Sequence, residues 1–136
     1  MAEVKSIRSD ADIEEEIDRI ITHYPPLVHD RHFIDLSVQD GVVTISGYAR
    51  TGITRAHLVN AIEAMPDVRS VKAKEFYSDD KIRLDVGQRI PAGIFSNVDR
   101  GVVILTGHLP KGSTEKKLVT AVGKVAGVRS VNAKFS

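Results

Sequence analysis

The sequence predicts an α+β fold built from two similar units, each with the order α-β-β-α-β and a three-stranded mixed sheet that carries two helices on one face. The first observation behind this prediction is an internal repeat, because residues 40–47 recur in similar form as residues 100–107. Residues 38–75 and 98–135 are identical at 16 of 38 positions. The second observation is the spacing of apolar residues, which alternates in some segments and has a helical period in others. The chain is therefore predicted to be an internal duplication.

The length of the chain fits two small units, which we place at residues 9–76 and 77–136. A unit of this size buries only about 60% of the surface that its unfolded chain exposes, so we expect the two units to pack against each other. The chain has no cysteine. This excludes a disulfide framework, a thiolate nucleophile and a cysteine-ligated metal.

The apolar runs of the sequence are only as long as strands, so none is predicted to span a membrane. The amino terminus lacks the apolar core of a secretory signal. The sequence as it stands therefore predicts a cytoplasmic protein, and a periplasmic protein is the alternative if a signal was removed.

The net charge of +1 conceals a difference between the two units. Residues 1–76 carry 9 Lys and Arg against 13 Asp and Glu, a net charge of −4, whereas residues 77–136 carry 10 against 5, a net charge of +5. Opposite charges of this kind favour mutual docking of the units, head-to-tail self-association or attraction of the second unit to an anionic surface. Unselected variation on solvated faces is the alternative explanation.

The first unit is predicted to begin with a helix, because Ser9 is a suitable N-cap and several carboxylates follow it. Its apolar stripe consists of Ile13, Ile17, Ile20, Ile21 and Tyr24. Pro25-Pro26 should end this helix. The segments that follow are predicted as a strand at 32–39, a returning strand after Gly41, a helix at about 54–65 and a strand at 68–76.

Two glycines frame the repeated strand. Asp40-Gly41 is typical of a tight hairpin turn in which glycine takes a positive φ, and replacing Gly41 by Val should cost about 1–2 kcal/mol. Gly47 is predicted to mark a strand end, a bulge or a close approach of another backbone.

The second unit repeats this order in a shorter form. Ser78 to Asp80 should open a helix whose apolar face is Ile82, Val86 and Ile90. A strand at 93–98, a turn at Gly101, a helix at about 113–126 and a strand at 128–135 follow. In both units the second and third strands are joined through a helix, so they should run parallel with a right-handed crossover.

The repeated Gly-Val-Val-x-[Ile/Leu]-[Ser/Thr]-Gly, the following helix and the Val-Arg-Ser-Val-x-Ala strand resemble the BON domain family (bacterial OsmY and nodulation). The resemblance covers both copies, and its one departure is Asp67, which stands where the family usually has glycine. It implies a non-catalytic module of bacterial, usually envelope-associated, proteins. Family members are linked to osmotic-shock protection, phospholipid attachment, secretion channels and, in a branch joined to a LysM domain, potassium binding.

The residues themselves predict no enzyme and no cofactor. No serine lies in a Gly-x-Ser-x-Gly elbow, and no cysteine is present. His23, His29 and His32 lie within ten residues and are candidate metal ligands. They straddle Pro25-Pro26 at poor spacing, so we predict a solvated loop there and no metal site.

A lipid-binding or anion-binding surface is the preferred site prediction. It consists of Lys111, Lys116, Lys117, Lys124 and Arg129, beside the start of a predicted helix. The segments from Gly47 to Gly52 and from Gly107 to Gly112 contain no nucleotide-binding motif. The α-β-β-α-β order also occurs in KH domains, but their Gly-x-x-Gly loop is absent and aromatic residues for base stacking are few. No nucleic-acid partner is therefore predicted.

The resulting function is a non-enzymatic tandem BON protein that binds an anionic phospholipid surface or an envelope protein, in osmotic or general stress. One alternative is a potassium-binding or sensing module that holds the cation with loop carbonyls. A second alternative is a structural protein-interaction module. The sequence leaves homo-oligomer formation open.

Overall fold

The structure is a computed structural model, and it describes residues 9–136. Two three-stranded sheets, with the strand orders β1-β2-β3 and β4-β5-β6, divide the chain into the two predicted units. The elements of the first unit are α1 (Asp10–Thr22), α2 (Pro25–Asp30), β1 (Ile34–Gln39), β2 (Val42–Ala49), α3 (Gly52–Glu63) and β3 (Ser70–Ser78). The elements of the second unit are α4 (Asp79–Gly87), β4 (Ile94–Asp99), β5 (Val102–Gly107), α5 (Glu115–Gly123) and β6 (Ser130–Phe135).

Both sheets are mixed, as predicted. In each unit the first two strands form an antiparallel hairpin, and the third strand runs parallel to the second after a helical crossover. The helices cover one face of each sheet, and the apolar residues on that face form two separate cores. The first core includes Ile13, Leu27, Val43, Ile45 and Leu58, and the second includes Ile82, Val86, Val103, Leu105 and Val122.

The hairpin turns confirm the prediction made for Asp40-Gly41. Two residues connect the strands, and both have positive φ: 52° at Asp40 and 78° at Gly41. Arg100 and Gly101 repeat this geometry with φ of 47° and 79°. Positive φ at both central residues defines the type I′ turn that suits the twist of a hairpin.

Gly47 and Gly107 mark a close approach of two backbones. A Cβ atom on Gly47 would collide with the carbonyl oxygen of Phe33, and one on Gly107 would collide with that of Gly93. Both glycines also have φ near 110°. Both positions therefore require glycine, because the backbone just before the first strand of each hairpin leaves no room for a side chain.

The predicted helix start at Ser9 is confirmed, because the Ser9 and Asp12 side chains form a reciprocal capping box. The prediction of a loop after this helix is wrong. The short helix α2 begins at Pro25, where proline is tolerated because the first helical N–H groups need no partner. A 3₁₀ turn over Arg31–Phe33 follows it, so His29 and His32 lie on helical turns rather than in a loop.

The two units differ by one residue in their third strands. Thr44 pairs with Lys72 and Ser46 pairs with Glu75, so two residues of β3 lie opposite Ile45 in a β-bulge. In the second unit the pairing is continuous. The bulge absorbs an extra residue, and as a result Phe76 pairs with Gly47 as Phe135 pairs with Gly107.

Candidate functional site

The two units meet directly at the end of β3. Ser78 is the last residue of β3 and pairs with Ala49, and Asp79 is the first residue of α4. Both Ser78 and Asp79 are buried. Because no linker separates the units, the packed side chains around this point hold them together, as the small size of each unit led us to expect.

An aspartate at the start of the first helix holds the hairpin turn of each unit. The Asp79 carboxylate accepts hydrogen bonds from the backbone N–H groups of Arg100 and Gly101 at 2.7 and 3.1 Å. Asp10 accepts from Asp40 and Gly41 at 2.8 and 3.1 Å. Sequence analysis treated these aspartates only as helix-start charges. The repeated Ser-Asp pair is a signal for them, but its spacing of 69 residues differs from the 60 of the strands.

The Asp79 carboxyl that binds the second hairpin turn has a shifted pKa because it is buried. Loss of solvent raises the pKa of the Asp79 carboxyl above its ordinary value, and the two backbone hydrogen bonds only partly oppose this rise. The surroundings of Asp79 therefore disfavour the charged form of its carboxyl group.

A buried ion pair connects the second hairpin turn to the first unit. Asp30, at the end of α2, is 1% exposed, and its Oδ1 lies 3.2 Å from Nη2 of Arg100. The other carboxylate oxygen of Asp30 accepts the Arg50 N–H at 3.0 Å. The Arg100 guanidinium also stacks over the Phe33 ring at 4.4 Å and pairs with Asp99 at 2.8 Å. Burial opposes the Arg100 charge, but the Asp99 and Asp30 carboxylates outweigh it and raise the pKa of Arg100.

Tyr48 forms the second part of the junction. Its hydroxyl donates to the carbonyl oxygen of Gly127 at 2.7 Å, and its ring packs so close to Gly101 that a Cβ there would lie 2.6 Å from a ring carbon. Tyr77 lies beside it, with ring centroids 5.9 Å apart. Burial raises the pKa of Tyr48, as do Asp79 and Glu75, against the opposing effect of Arg129. The hydroxyl therefore remains a hydrogen-bond donor.

A third contact joins α4 to the start of α3. The Asp80 carboxylate accepts the backbone N–H of Gly52 at 2.9 Å. Burial alone would raise the pKa of Asp80, but hydrogen bonds from Gly52, Ser78 and Lys81 outweigh it and lower the pKa. Asp79 and Asp80 are neighbours, yet their surroundings shift the two pKa values in opposite directions.

Two open grooves lie beside these contacts. The larger, of about 960 Å³, is lined from both units by residues that include Asp30, Arg50, Asp79, Arg83 and Arg100. The other, of about 860 Å³, includes Arg55, Phe76, Tyr77, Ile82 and Leu84. In the larger groove Arg100 pairs with Asp30 and Asp99. Asp79 and Asp80 accept hydrogen bonds from backbone N–H groups, so we assign these charged groups to holding the structure of the junction.

The predicted basic residues are not brought together. Lys111, Lys116 and Lys117 lie at or just before the start of α5, whereas Lys124 lies at its other end. Arg129 belongs to the junction, because its guanidinium lies 5.8 Å from the centre of the Tyr48 ring and donates to the Arg100 carbonyl at 3.3 Å. The four lysines are exposed and form no ion pair with residues 9–136.

The candidate metal ligands His23, His29 and His32 are all exposed. His23 follows α1, His29 lies on α2 and His32 lies in the 3₁₀ turn. No group of three or more His, Cys, Asp or Glu residues that could hold a metal ion occurs within residues 9–136. In the same part of the chain, no helix is both long and apolar enough to cross a membrane.

The open faces of the two sheets, away from the helices, differ in polarity. In the second unit Phe95 is 66% exposed on this face. Ile104 and Val102 of the neighbouring strand lie half-buried on the same face. The residues at the positions of Phe95 and Ile104 in the first unit are Asp35 and Thr44. This surface was not predicted from the sequence, although the apolar residues on both alternating faces of β5 were a signal for it.

Comparison with known proteins agrees with the repeat and the fold. A family model described as "BON domain" matches residues 9–76 and again residues 78–136. The comparison with curated proteins finds no match.

Two solved structures of CdsD, a structural protein of the type III secretion system of Chlamydia trachomatis, are similar to this chain. Its C-terminal domain aligns with a TM-score of 0.73 and 17% identity over 94% of this chain and 66% of that one. The second structure has a TM-score of 0.39 and 13% identity over 91% of each chain. The first likeness shows a shared fold. Because the family matches cover both units, the chain belongs to the BON domain family and contains two BON domains in tandem.

Proposed function

We propose that this tandem is a non-catalytic binding protein whose second unit carries the surface for a protein partner of the cell envelope. The observation that carries the proposal is the exposure of Phe95, together with Ile104 and Val102, on the open face of the second sheet. Exposed aromatic residues are the usual energetic centres of protein interfaces. A structural role in an envelope assembly also fits the fold shared with CdsD, which is itself a structural protein of a secretion system.

The comparison of the two open faces provides the test. A photo-crosslinking residue placed at position 95 in living cells should capture one discrete protein, whereas the same residue at position 35 should not. The captured protein, once purified, should bind Phe95→Asp at least tenfold more weakly than the wild-type chain, since the loss of a central aromatic residue costs about 2 kcal/mol or more. Equal crosslinking at both positions, or undiminished binding by Phe95→Asp, would refute the proposal.

An anionic phospholipid surface is a second candidate partner, as expected from the basic residues. It is favoured by Lys111, Lys116 and Lys117, whose exposed amines have no carboxylate partner within residues 9–136. Each basic residue near an anionic membrane contributes about 1 kcal/mol, and salt screens this attraction. A binding role in osmotic or general stress belongs to this candidate.

Vesicle cosedimentation separates the lipid candidate from the protein candidate. The chain should cosediment with anionic vesicles but not with neutral ones, and less at high salt. The double change Lys111→Glu and Lys116→Glu should abolish this, whereas Lys72→Glu and Lys74→Glu on the first sheet, with the same change in net charge, should leave it intact. Absence of binding to anionic vesicles at low salt would eliminate this candidate.

A further inference from the structure

We propose that copies of this chain associate head to tail. In this arrangement an acidic tip on the first unit of one copy, formed by Asp10, Glu14 and Asp40, docks into a basic cleft on the second unit of the next copy. Arg89 and Lys117 supply the charge of this cleft. The contact uses neither Phe95 nor the open sheet face, so it goes beyond the proposed function and can fail independently of it.

The contact inside the chain is the template for this docking. There the tip of the second unit, which consists of the Arg100-Gly101 turn and the start of α4, packs against the first unit. The receiving groove is formed by α2 and the start of α3. Arg100 pairs with Asp30, and Asp80 binds the Gly52 N–H. A hairpin tip inserted beside the crossover helix of the other unit is therefore a contact that this fold already makes.

The second unit has a cleft at the equivalent place. Its volume is about 420 Å³, and it lies between residues 88–91 and the start of α5. Two of its residues, Ser113 and Thr114, are the repeat counterparts of Ile53 and Thr54, which line the receiving groove at the start of α3. The lining residues all belong to the second unit. In the first unit, by contrast, both units line the corresponding groove.

The first unit has a tip of the same construction. Asp10 holds the Asp40-Gly41 turn as Asp79 holds the Arg100-Gly101 turn. With Asp10 and Ile13 matched to Asp79 and Ile82, Glu14 occupies the place of Arg83. Asp40 and Glu14 are exposed and form no ion pair with residues 9–136. The tip of the first unit is therefore built like the docked tip, but within residues 9–136 it does not occupy a groove of the other unit.

The charges of the free tip and the free cleft are complementary. Carboxylates occupy the free tip where the docked tip has Arg83 and Arg100. The receiving groove offers the Asp30 carboxylate to its tip, whereas the free cleft offers the cations Arg89 and Lys117. The net charges of −4 and +5 act in the same sense over longer distances. Like ends repel and unlike ends attract, which favours a heterologous contact over a symmetric dimer. Such a contact produces closed rings or open filaments.

Sedimentation velocity on the full chain without lipid tests this association. The wild-type chain should associate with increasing concentration at low ionic strength. It should be monomeric at about 1 M salt, where the Debye length is about 3 Å. A tip variant, Glu14→Lys with Asp40→Arg, and a cleft variant, Arg89→Glu with Lys117→Glu, should each associate at least tenfold more weakly. Arginine suits position 40 because Arg100 adopts the same φ in the second turn.

Mixing the two variants is the decisive measurement. The tip variant keeps a normal cleft and the cleft variant keeps a normal tip, so an equimolar mixture should form 1:1 heterodimers at concentrations where each variant alone is monomeric. The matched control is Lys72→Glu with Lys74→Glu, which changes the net charge as much as the cleft variant but should leave association unchanged. Thermal unfolding verifies that each variant is folded, and the single changes Asp40→Asn and Lys117→Ala replace any double variant that is not.

Three results would overturn the proposal: a wild-type chain that stays monomeric at low ionic strength, a mixture that stays as dissociated as its components, or a control that weakens association as much as the cleft variant does. If the chain associates as predicted but Phe95→Asp does not weaken binding of the partner protein, only the proposed function is refuted.

Discussion

The two hairpin tips have the same backbone conformation, but one is exposed and the other is packed against the neighbouring unit. Asp40-Gly41 and Arg100-Gly101 form the same type I′ turn, each held by an aspartate at a helix start. Asp40 is exposed, whereas Arg100 is enclosed by Asp30, Phe33 and Asp99. The difference shows that the hydrogen bonds which build the hairpin survive in both copies, while the side chain at one turn position decides what the tip contacts.

The third strands show a similar division of roles. The bulge in β3 lets Phe76 point into the first core and places Tyr77 on the other side, where it packs against the second core. Tyr77 and Ile82 then fill the space beside Gly127. The equivalent residue of the first unit is Asp67, which has no positive φ. Because the backbone at Asp67 does not adopt a positive φ, this position does not need the glycine that the family usually has there.

The largest effect on this comparison should come from Arg100→Ala. The change leaves the Asp30 carboxylate buried without its cation, and the loss of one partner of a buried pair typically costs about 3–5 kcal/mol. Asp40→Ala, at the same turn position of the first unit, should change the free energy of unfolding by about 0.5 kcal/mol or less. Urea unfolding followed by circular dichroism measures both.

The double variant Asp30→Ala with Arg100→Ala sharpens this test. Because it removes both charges, it should be more stable than Arg100→Ala alone, and the double-mutant cycle should give a coupling energy of about 1 kcal/mol or more. A cycle with no coupling would mean that the pair does not hold the units together.

The sequence predicted what depends on near neighbours. The Ser9 cap, the Asp40-Gly41 turn and the close approach at Gly47 each follow from residue types and spacing within a few positions. The junction could not be predicted in this way, because Asp30 and Arg100 are 70 residues apart and Tyr48 and Gly127 are 79 apart. Only the fold brings such pairs together.

Elements that break the repeat were also beyond sequence reasoning. Helix α2 lies in nine extra residues that separate the first helix from the first strand, counted from Ile13 to Ile34 against Ile82 to Ile94. The proline pair was predicted only to end the first helix, but it also opens this one. Since α2 supplies Asp30, the acidic half of the junction was hidden in a segment without a counterpart.

A smaller effect separates the two turn glycines. Alanine at Gly101 would place its Cβ 2.6 Å from the Gly127 oxygen and from Tyr48, whereas alanine at Gly41 would meet the flexible Arg69 side chain at 2.9 Å. Both changes carry the cost of a positive φ, about 1–2 kcal/mol. Gly101→Ala adds an overpacking cost of about 1–3 kcal/mol. Urea unfolding should therefore rank Gly101→Ala as clearly the less stable; equal losses would contradict the packed junction.

The smallest effect, and the one most specific to the junction, is the opposite pH dependence of its two adjacent aspartates. Folding lowers the pKa of Asp80, so the unfolded chain binds more protons. The stability that Asp80 contributes is complete above its ordinary pKa of 3.8 and is lost as the pH falls through the lower folded value.

Folding raises the pKa of Asp79, so the folded chain binds more protons. Stability should therefore increase as the pH falls from neutral through that raised value toward 3.8. Subtracting the unfolding free energies of Asp79→Asn and of Asp80→Asn from those of the wild type at each pH isolates the two contributions. The differences should slope in opposite directions, and slopes of the same sign would show that burial does not dominate at Asp79.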